Sequence, residues 1–289
     1  MAGLRDRAVE AALYARSAAR VAGRARRLGR EERLVFVVGS PRSGTTFTGS
    51  ALGSLAGFVD LDEVQPWKRA IPRLVADGAS DDEAARALRR VLQRVRTLAL
   101  ATGLRGVEQT PETSFVLRAA LRAFPDAVAV HVVRDGRDVV TSLLERGWLS
   151  AGRDGADDAR LAFGAQARFW VEPGREAEFA RASDARRCAW AWRRYVEAAR
   201  AGPERTVEVR YEDLVADPAA AAAPVAERLG VSVAEVAVVF AQAHDRSAGR
   251  WRRDLTAAQI ADVEAEAGPL LVALGYPLST LSGEVEARG

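Results

Sequence analysis

The chain contains few of the residue types that form covalent cross-links or metal sites. Its 289 residues include one cysteine and two histidines. The lone Cys188 excludes an intramolecular disulfide framework and fits a reducing compartment, and two histidines leave little room for a histidine-based metal site. The longest uncharged runs are short and interrupted by Gly or Pro, so we expect no transmembrane segment. Together these absences predict a cytoplasmic protein.

Lysine is almost absent as well, and Lys68 is the only one. The formal net charge of +3 is distributed unevenly, because residues 1–33 hold nine Arg and four acidic residues while the rest of the chain is slightly acidic. A basic excess confined to one segment, without a recognised binding motif, argues against a nucleic-acid partner. The positions of individual arginines are therefore more informative than the total charge.

Residues 1–33 are predicted to form a basic amphipathic helical arm. Its apolar face is weak because it is almost entirely alanine, and arginines occupy another face. We interpret it as a solvated helix or partly disordered arm; the alternative is docking on an acidic partner or weak peripheral association with a membrane surface. The predicted apolar face comprises Leu4, Ala8, Ala11, Ala15, Ala18 and Ala22.

The remaining residues, 34–289, are predicted to form one domain in which strand and helix patterns alternate. The apolar runs at 34–38 and 127–133 are typical of strands buried on both faces. The alternation favours the α/β class, as a P-loop-type three-layer fold with a mainly parallel central sheet flanked by helices. Shorter strand candidates are 57–61, 104–108 and 206–211, and helical patterns occupy 46–55, 80–100, 112–124, 184–201 and 217–229, with another helix beginning near Asp135.

The strongest motif is VVGSPRSGTT at residues 37–46, at a predicted strand-to-helix junction. Small residues there let backbone amides approach phosphate oxygens, and the start of the helix adds partial positive charge. Hydroxyl groups and the permanently charged Arg42 add further donors. A nucleoside-triphosphate loop would place Lys after its second glycine, but Thr45 follows Gly44 here, which argues against an ATP- or GTP-hydrolysing protein.

A second motif, VVRDGRDVVTS, occupies residues 132–142. Arg134 ends a predicted strand, and Ser142 follows it by about two helical turns. The spacing of Asp135 and Asp138 suits a helix cap and favourable charge in the first turn of the helix. We therefore interpret these two acids as structural.

Together the two motifs resemble those of sulfotransferases that use 3′-phosphoadenosine 5′-phosphosulfate (PAPS), in particular bacterial members related to the tyrosylprotein and carbohydrate types. The resemblance implies that Arg134 and Ser142 contact the 3′-phosphate of PAPS. It also implies that Arg42 neutralises charge near the bridging oxygen, that adenosine 3′,5′-bisphosphate (PAP) is the product, and that no metal is needed. The implied contacts of the 5′-phosphosulfate are Arg42, Ser43, Gly44, Thr45 and Thr46.

Two later segments extend the resemblance. Tyr211 matches a tyrosine that lies near the nucleotide, and it is predicted either to touch adenine or to support the site from beneath. The segment 244–251 resembles a loop that closes over the 3′-phosphate. Its expected phosphate contacts are Ser247 and Arg250, with Arg246 as the alternative to Arg250.

The general base is assigned by its placement in the chain. Glu63 follows a short strand candidate, and this placement resembles that of the glutamate base in tyrosylprotein and carbohydrate-type sulfotransferases. Asp60 and Asp62 are its nearest competitors. His131 lies inside an apolar run and is interpreted as a core residue, and His244 has no compelling position.

Gln109 departs from the family pattern. The segment 108–111 resembles one in which Lys usually stands where this chain has Gln109. An amide can orient a sulfate oxygen, so Gln109 is a candidate catalytic residue, but it supplies neither positive charge nor a transferable proton. The alternative is an ordinary residue of a loop or helix start.

The sequence as a whole predicts an enzyme that transfers a sulfuryl group from PAPS to a hydroxyl acceptor, which is a small molecule, a glycan or a glycolipid. One alternative is an atypical P-loop nucleotide kinase. The other is a nucleotide-binding module that has lost its activity, a reading supported by Gln109. Residues 149–183 contain several Gly and Asp residues and are interpreted as a lid or acceptor-binding insertion.

Overall fold

The computed structural model describes residues 4–22, 29–157, 159–202, 205–244 and 248–279. Within them, the strands are β1 (Val35–Val38), β2 (Phe58–Asp62), β3 (Arg105–Glu108), β4 (Val128–Val133) and β5 (Thr206–Arg210). All paired strands run parallel, in the spatial order β2-β3-β1-β4-β5. The predicted α/β fold with a mainly parallel sheet is confirmed, and each of the five strand candidates is a strand.

Helices cover both faces of the sheet. The helical pattern predicted for 112–124 is divided between a short 3₁₀-helix, Pro111–Val116, and the α-helix that follows it. The α-helices are α1 (Leu4–Val21), α2 (Thr45–Gly53), α3 (Gln65–Ala76), α4 (Asp81–Leu98), α5 (Leu117–Ala123), α6 (Gly136–Arg146), α7 (Glu176–Arg181), α8 (Asp184–Arg200), α9 (Tyr211–Ala216), α10 (Pro218–Leu229), α11 (Val233–Phe240), α12 (Trp251–Asp254) and α13 (Ala257–Ala273).

Strand β1 lies at the centre of the sheet and contributes side chains to the core on both sides of it. Its four side chains are fully buried, and because successive side chains point to opposite faces, they enter different clusters. Phe36 packs with Trp67 and Leu88 on one side of the sheet, while Val37 packs with Leu52 on the other. A third cluster joins α6, α8 and α13 beside the sheet.

Parallel strands bring their carboxyl ends to one edge of the sheet, which is where open α/β folds place ligands. The loop after β1 carries the first phosphate motif, and Glu63 follows β2. Gln109, Arg134 and Tyr211 directly follow β3, β4 and β5. The topology therefore collects residues from distant parts of the chain at the same edge.

The N-terminal helix is not the solvated element that its composition suggested. Its buried face shares Ala18 with the predicted one but is centred elsewhere, because Leu13, Tyr14 and Val21 bury far more apolar surface than alanines do. Ala8, Ala11 and Ala15 of the predicted apolar face are exposed. The predicted orientation of the helix is thus wrong. The buried face, Leu13, Tyr14, Ser17, Ala18 and Val21, packs toward α3, α4 and β2.

Polar contacts add to this packing near the candidate site. Ser17 Oγ accepts a hydrogen bond from the backbone N–H of Gln65, at 3.2 Å. Arg20 donates to Asp62 Oδ2 at 2.6 Å. Helix α1 is therefore attached to the segment that carries Glu63, although a domain boundary at residue 33 stays a prediction, with residues 23–28 outside the described part of the chain.

The segment 149–183 has little regular structure. It contains an isolated antiparallel bridge between Ala156 and Ala162 and the short helix α7. Several of its side chains line the cavity described below. None of the helices in the described ranges is long and apolar enough to cross a membrane.

Two alanines on the same helix test the orientation of α1. Ala18 is buried and Ala15 is exposed, so A18D should lower the free energy of unfolding by about 3 kcal/mol because it buries a carboxylate. A15D should change it by less than about 0.5 kcal/mol. Urea unfolding followed by circular dichroism measures both. Equal effects would contradict the packing of α1 against the domain.

Candidate active site

A cavity of about 320 Å³ lies at the carboxyl edge of the sheet. The first phosphate motif contributes Arg42, Thr45 and Thr46 to its lining, and Glu63 faces the same space. A largely apolar wall closes the other side. That wall comprises Leu143, Trp148, Leu149, Leu161, Phe163 and Trp170.

The loop between β1 and α2 has the backbone of an anion-binding turn. Gly39, Arg42 and Gly44 have positive φ angles of 146°, 73° and 100°. A Cβ atom at Gly39 would lie 2.4 Å from the carbonyl oxygen of Val132, and one at Gly44 would lie 2.5 Å from the ring of Tyr211. Glycine is therefore required at both positions, and backbone N–H groups in such a turn converge on one point.

The side chains of this loop also fit a phosphate ligand. Ser43 Oγ is buried and, within the described part of the chain, has no hydrogen-bond partner. Buried polar atoms in proteins are nearly always paired, so this hydroxyl is suited to a ligand oxygen. Helix α2 begins at Thr45 and directs its N-terminal partial charge toward the same place.

Direct hydrogen bonds join the two phosphate motifs. Arg134 Nη1 donates to the carbonyl oxygen of Arg42 at 3.1 Å, and Arg42 Nε donates to Ser142 Oγ at 2.9 Å. Burial, together with the charges of Arg146 and Arg134, lowers the pKa of Arg42. Three arginines at this junction create an excess of positive charge that an anionic ligand would offset.

Tyr211 lies beneath the loop. Its ring is the neighbour that excludes a Cβ atom at Gly44, and the guanidinium of Arg134 stands 5.1 Å from the ring centroid. The hydroxyl donates to the carbonyl oxygen of His244 at 3.0 Å. These contacts favour the supporting role for Tyr211, and the contact with adenine stays a prediction.

The two acids at the start of α6 have structural contacts, as the sequence analysis expected. The Asp135 side chain caps the helix by accepting from the backbone N–H of Arg137. Asp138 accepts from the backbone N–H groups of Gly249 and Trp251, at 2.6 and 3.0 Å. Asp138 therefore anchors the C-terminal loop onto α6, with Trp251 buried beside it.

Arg250 is held by carboxylates. Its Nε donates to Asp254 Oδ2 at 2.8 Å, and its Nη2 pairs with Glu145. A 3′-phosphate contact would need this side chain to leave or share those partners, and the contact stays a prediction. Ser247 and Arg246, the other two residues considered in this loop, lie outside the described residues.

Of the three neighbouring acids Asp60, Asp62 and Glu63, it is Glu63 that lines the cavity. Asp60 accepts from Ser50 Oγ at 2.8 Å, and Asp62 pairs with Arg20, so both competitors are engaged elsewhere. Asp62 has a positive φ of 58° at an irregularity in the pairing of β2. This bend separates the direction of Asp62 from that of Glu63.

Neither histidine approaches the cavity lining. His131 is 1% exposed, and its Nδ1 lies 3.2 Å from Glu208 Oε2. Burial lowers the pKa of His131, which opposes its charged form. His244 is exposed and uses its carbonyl oxygen to hold Tyr211. The interpretation of His131 as a core residue agrees with its position.

Gln109 points into the protein. It is 1% exposed, and its Nε2 donates to Asp62 Oδ1 at 3.1 Å. A Cβ atom at Gly49 would come within 2.4 Å of Gln109 Oε1, so helix α2 passes directly over the amide. Gln109 is not among the cavity-lining residues of the described chain. Its contacts join β3, β2 and α2, and a contact with sulfate stays a prediction that this position does not favour.

The sequence analysis missed Lys68, which lines the cavity. Its Nζ lies 2.7 Å from Glu63 Oε2 and 3.8 Å from Glu112 Oε1. Burial opposes the charged ammonium, but Glu112 and Glu63 outweigh burial and raise the pKa of Lys68. Because Lys68 is the only lysine in the sequence, it could have been singled out as a candidate before the fold was known. Glu112 and Tyr195, which also line the cavity, had no such signal.

Comparison with known proteins identifies the family. The model of the sulfotransferase family matches residues 101–235, which include β4, Arg134 and Tyr211. Residues 101–235 are therefore similar to the sulfotransferase family. The predicted resemblance to sulfotransferases is thereby confirmed, whereas a relationship to the tyrosylprotein and carbohydrate types stays a prediction. This similarity supports a transferase, specifically a sulfotransferase. No curated protein sequence matches the chain.

Solved sulfotransferase structures share the fold. The sulfotransferase domain from the curacin biosynthetic pathway superposes with a TM-score of 0.50 at 15% identity, covering 86% of this chain and 100% of that domain. Sulfotransferase STF9 from Mycobacterium avium gives a TM-score of 0.51 at 17% identity, covering 93% of this chain and 82% of that protein. At these identities the likeness shows the shared fold. The described residues contain no cluster of three or more His, Cys, Asp or Glu suited to a metal ion.

The stability of the protein should depend on Glu108, at the carboxyl end of β3. Glu108 is fully buried, and burial raises its pKa to about 8 despite hydrogen bonds from Thr110 and Thr113. The native state therefore keeps a proton that the unfolded chain loses at much lower pH. The free energy of unfolding should fall between pH 5 and 8, by at most about 1.4 kcal/mol per pH unit from this group.

Urea unfolding at pH 5, 6, 7 and 8 measures this dependence. E108Q should make it clearly shallower, because the amide has no proton to lose in this range. The exposed Glu235 provides the matched control, and E235Q should leave the slope as in the wild type. An unchanged slope in E108Q would contradict the assignment.

Proposed function

We propose that this chain transfers a sulfuryl group from PAPS to a hydroxyl acceptor and releases PAP. The observation that carries the proposal is the junction of the two phosphate motifs, where Arg134 is bonded to the carbonyl of Arg42 and Arg42 is bonded to Ser142. A donor with a 5′-phosphosulfate and a 3′-phosphate presents anionic groups at two separated positions. Paired basic motifs joined at one sheet edge suit such a donor better than one phosphate site alone would.

The residues divide into roles. The backbone of the loop, Ser43 Oγ and the start of α2 would hold the 5′-phosphosulfate, and Arg134 would hold the 3′-phosphate. Within the described residues the recorded side-chain hydrogen bond of Arg42 uses Nε, so its terminal amino groups are left for charge on the leaving oxygen. PAPS supplies an activated sulfuryl group when bound.

Glu63 is proposed as the general base. It lines the same cavity as Arg42, Thr45 and Thr46, so an acceptor hydroxyl in the cavity would lie between the carboxylate and the phosphate loop. Proton removal by a positioned carboxylate is worth about 10²–10⁴ in rate in typical enzymes. The wall contributed by 149–183 would hold the acceptor, which we propose to be a small molecule, a glycan or a glycolipid.

In the deciding experiment, the protein is incubated with a panel of alcohols, phenols and sugars as acceptors and with either PAPS or ATP as donor. Mass spectrometry identifies the modified acceptor, and PAP release is measured in parallel. We expect a sulfated product only with PAPS. Transfer only from ATP would establish the kinase alternative, and tight PAP binding without turnover across the panel would establish the inactive binding module.

Arg134 should recognise the 3′-phosphate specifically. R134A should weaken the binding of PAP by about 10- to 100-fold, the loss expected for a charged hydrogen bond, and should weaken AMP, which lacks that phosphate, far less. Isothermal titration calorimetry measures both ligands. The control R146A removes an exposed positive charge near Arg42 and should affect PAP and AMP alike. Equal losses for the two ligands in R134A would exclude a direct 3′ contact.

Glu63 should act on turnover rather than on donor binding. E63Q should lower kcat by at least about 100-fold while the Kd of PAP stays within about twofold, because the amide keeps the shape of the side chain. The neighbouring acid Asp62 lies outside the cavity lining, so D62N should retain kcat within a few-fold. Steady-state kinetics with the acceptor from the panel gives kcat, and near-normal turnover of E63Q would eliminate Glu63 as the base.

A further inference from the structure

The cavity wall contains a chain of polar side chains that leads to Glu63. Lys68 Nζ donates to Glu63 Oε2 at 2.7 Å. The same ammonium lies 3.8 Å from Glu112 Oε1, and this oxygen accepts from the hydroxyl of Tyr195 at 3.3 Å. Three different helices supply these partners: α3 supplies Lys68, the 3₁₀-helix Glu112 and α8 Tyr195.

We propose that Lys68 and Glu112, anchored by Tyr195, are positioning residues that hold the Glu63 carboxylate in one orientation and set its strength as a base. The proposal rests on the proposed function, in which Glu63 takes the proton of the acceptor hydroxyl. Lys68 occupies Oε2 of Glu63, which leaves Oε1 for that proton. The positioning residues themselves need not touch the acceptor.

Burial makes this arrangement rigid. The side chains of Lys68, Glu112 and Glu63 are 16%, 5% and 28% exposed, so exposure increases from Glu112 toward the base. Charges that are largely removed from water interact strongly and are poorly screened by salt. Because the innermost carboxylate is hydrogen-bonded to Tyr195, the ammonium has a fixed counter-charge on the side away from the cavity.

The charge balance of the group suits a base. Burial raises the pKa of Glu112, and the charge of Lys68 opposes that rise. With Glu112 ionised, one ammonium shared by two carboxylates carries a net negative charge, whereas an isolated Lys68–Glu63 pair would be neutral. Glu112 thus competes with Glu63 for the interaction with Lys68. Without Lys68, two carboxylates would face each other in a partly buried site, which would favour protonation of one of them.

Other charged groups face the same site. Arg42, Arg168 and Asp157 line the cavity with Glu63, and the buried Glu108 interacts with Glu63 from the end of β3. The variants described below leave all four in place. Changes between variants therefore report on Lys68 and Glu112.

The test uses two variants that remove opposite charges. In K68M, the pH at which Glu63 takes up its proton should rise by about one unit, because a cation that favours the carboxylate is lost. In E112Q it should fall by a similar amount, because Lys68 then interacts with Glu63 alone. Both variants should lower kcat by about tenfold, a typical effect for a residue that orients another. K68R keeps the positive charge and should restore most of the turnover of K68M.

Two measurements follow the proton on Glu63. The carboxyl ¹³C resonance of Glu63, assigned by its loss in E63Q, is titrated in the full-length protein without substrate. The acid limb of kcat/KM against pH is then measured for transfer from PAPS. The control is R69M, since Arg69 is a buried arginine next to Lys68 that pairs with Asp6 and does not line the cavity. R69M should shift neither curve.

Opposite shifts in K68M and E112Q, seen in both measurements, support the proposal. Unchanged curves, or shifts in the same direction, would overturn it, since the proposal requires both charges to act on the Glu63 carboxylate. Thermal melting checks that each variant is folded, and if K68M is not, E112Q and K68R carry the comparison. Absence of transfer from PAPS in the wild type would refute the proposed function separately, and the ¹³C titration would still decide whether Lys68 and Glu112 control Glu63.

Discussion

The hydrogen bond from Arg134 to the carbonyl oxygen of Arg42 holds the candidate site together. It connects the residue that follows β4 to the loop that follows β1, and these two strands are neighbours at the centre of the sheet. Since Arg42 reaches on to Ser142 of α6, one continuous set of contacts spans both phosphate motifs. The central sheet therefore fixes the distance between the two proposed anion-binding positions.

The site has two electrostatic regions. Around the loop, Arg42, Arg134 and Arg146 concentrate positive charge, and burial together with the charges of Arg146 and Arg134 lowers the pKa of Arg42. Farther along the cavity, Glu63, Lys68 and Glu112 form a group of mixed charge. A reaction that stabilises a departing anion at one end and removes a proton at the other requires this kind of separation.

The sequence predicted the parts of the molecule that depend on local pattern. Strands β1 and β4 were predictable because their continuous apolar runs suit only a fully buried position, and the loop was predictable because glycines recur where a helix begins. The position of Gln109 was not, because it depends on Gly49 of α2 passing over the amide. Likewise, Glu145, one of the partners of Arg250, comes from α6, and no spacing in the sequence indicates this contact.

Long-range packing also explains why the buried face of α1 and the role of Lys68 escaped prediction. Ala-rich periodicity marked one face of α1, but the larger side chains of Leu13 and Tyr14 decided the orientation once α3 and α4 were available to pack against. Lys68 lies in an ordinary helical pattern, and only the fold brings Glu112 and Tyr195 to it. In both cases the decisive partner lies in a separate segment of the chain.

The contact of the Tyr211 ring with Gly44 has a further consequence for ligand binding. The ring fills the space beneath the loop and is itself held by its hydroxyl and by Arg134. The loop consequently has its anion-binding shape before any anion arrives. Preorganisation of this kind means that the free energy of the new contacts is not offset by the entropy of ordering a flexible turn.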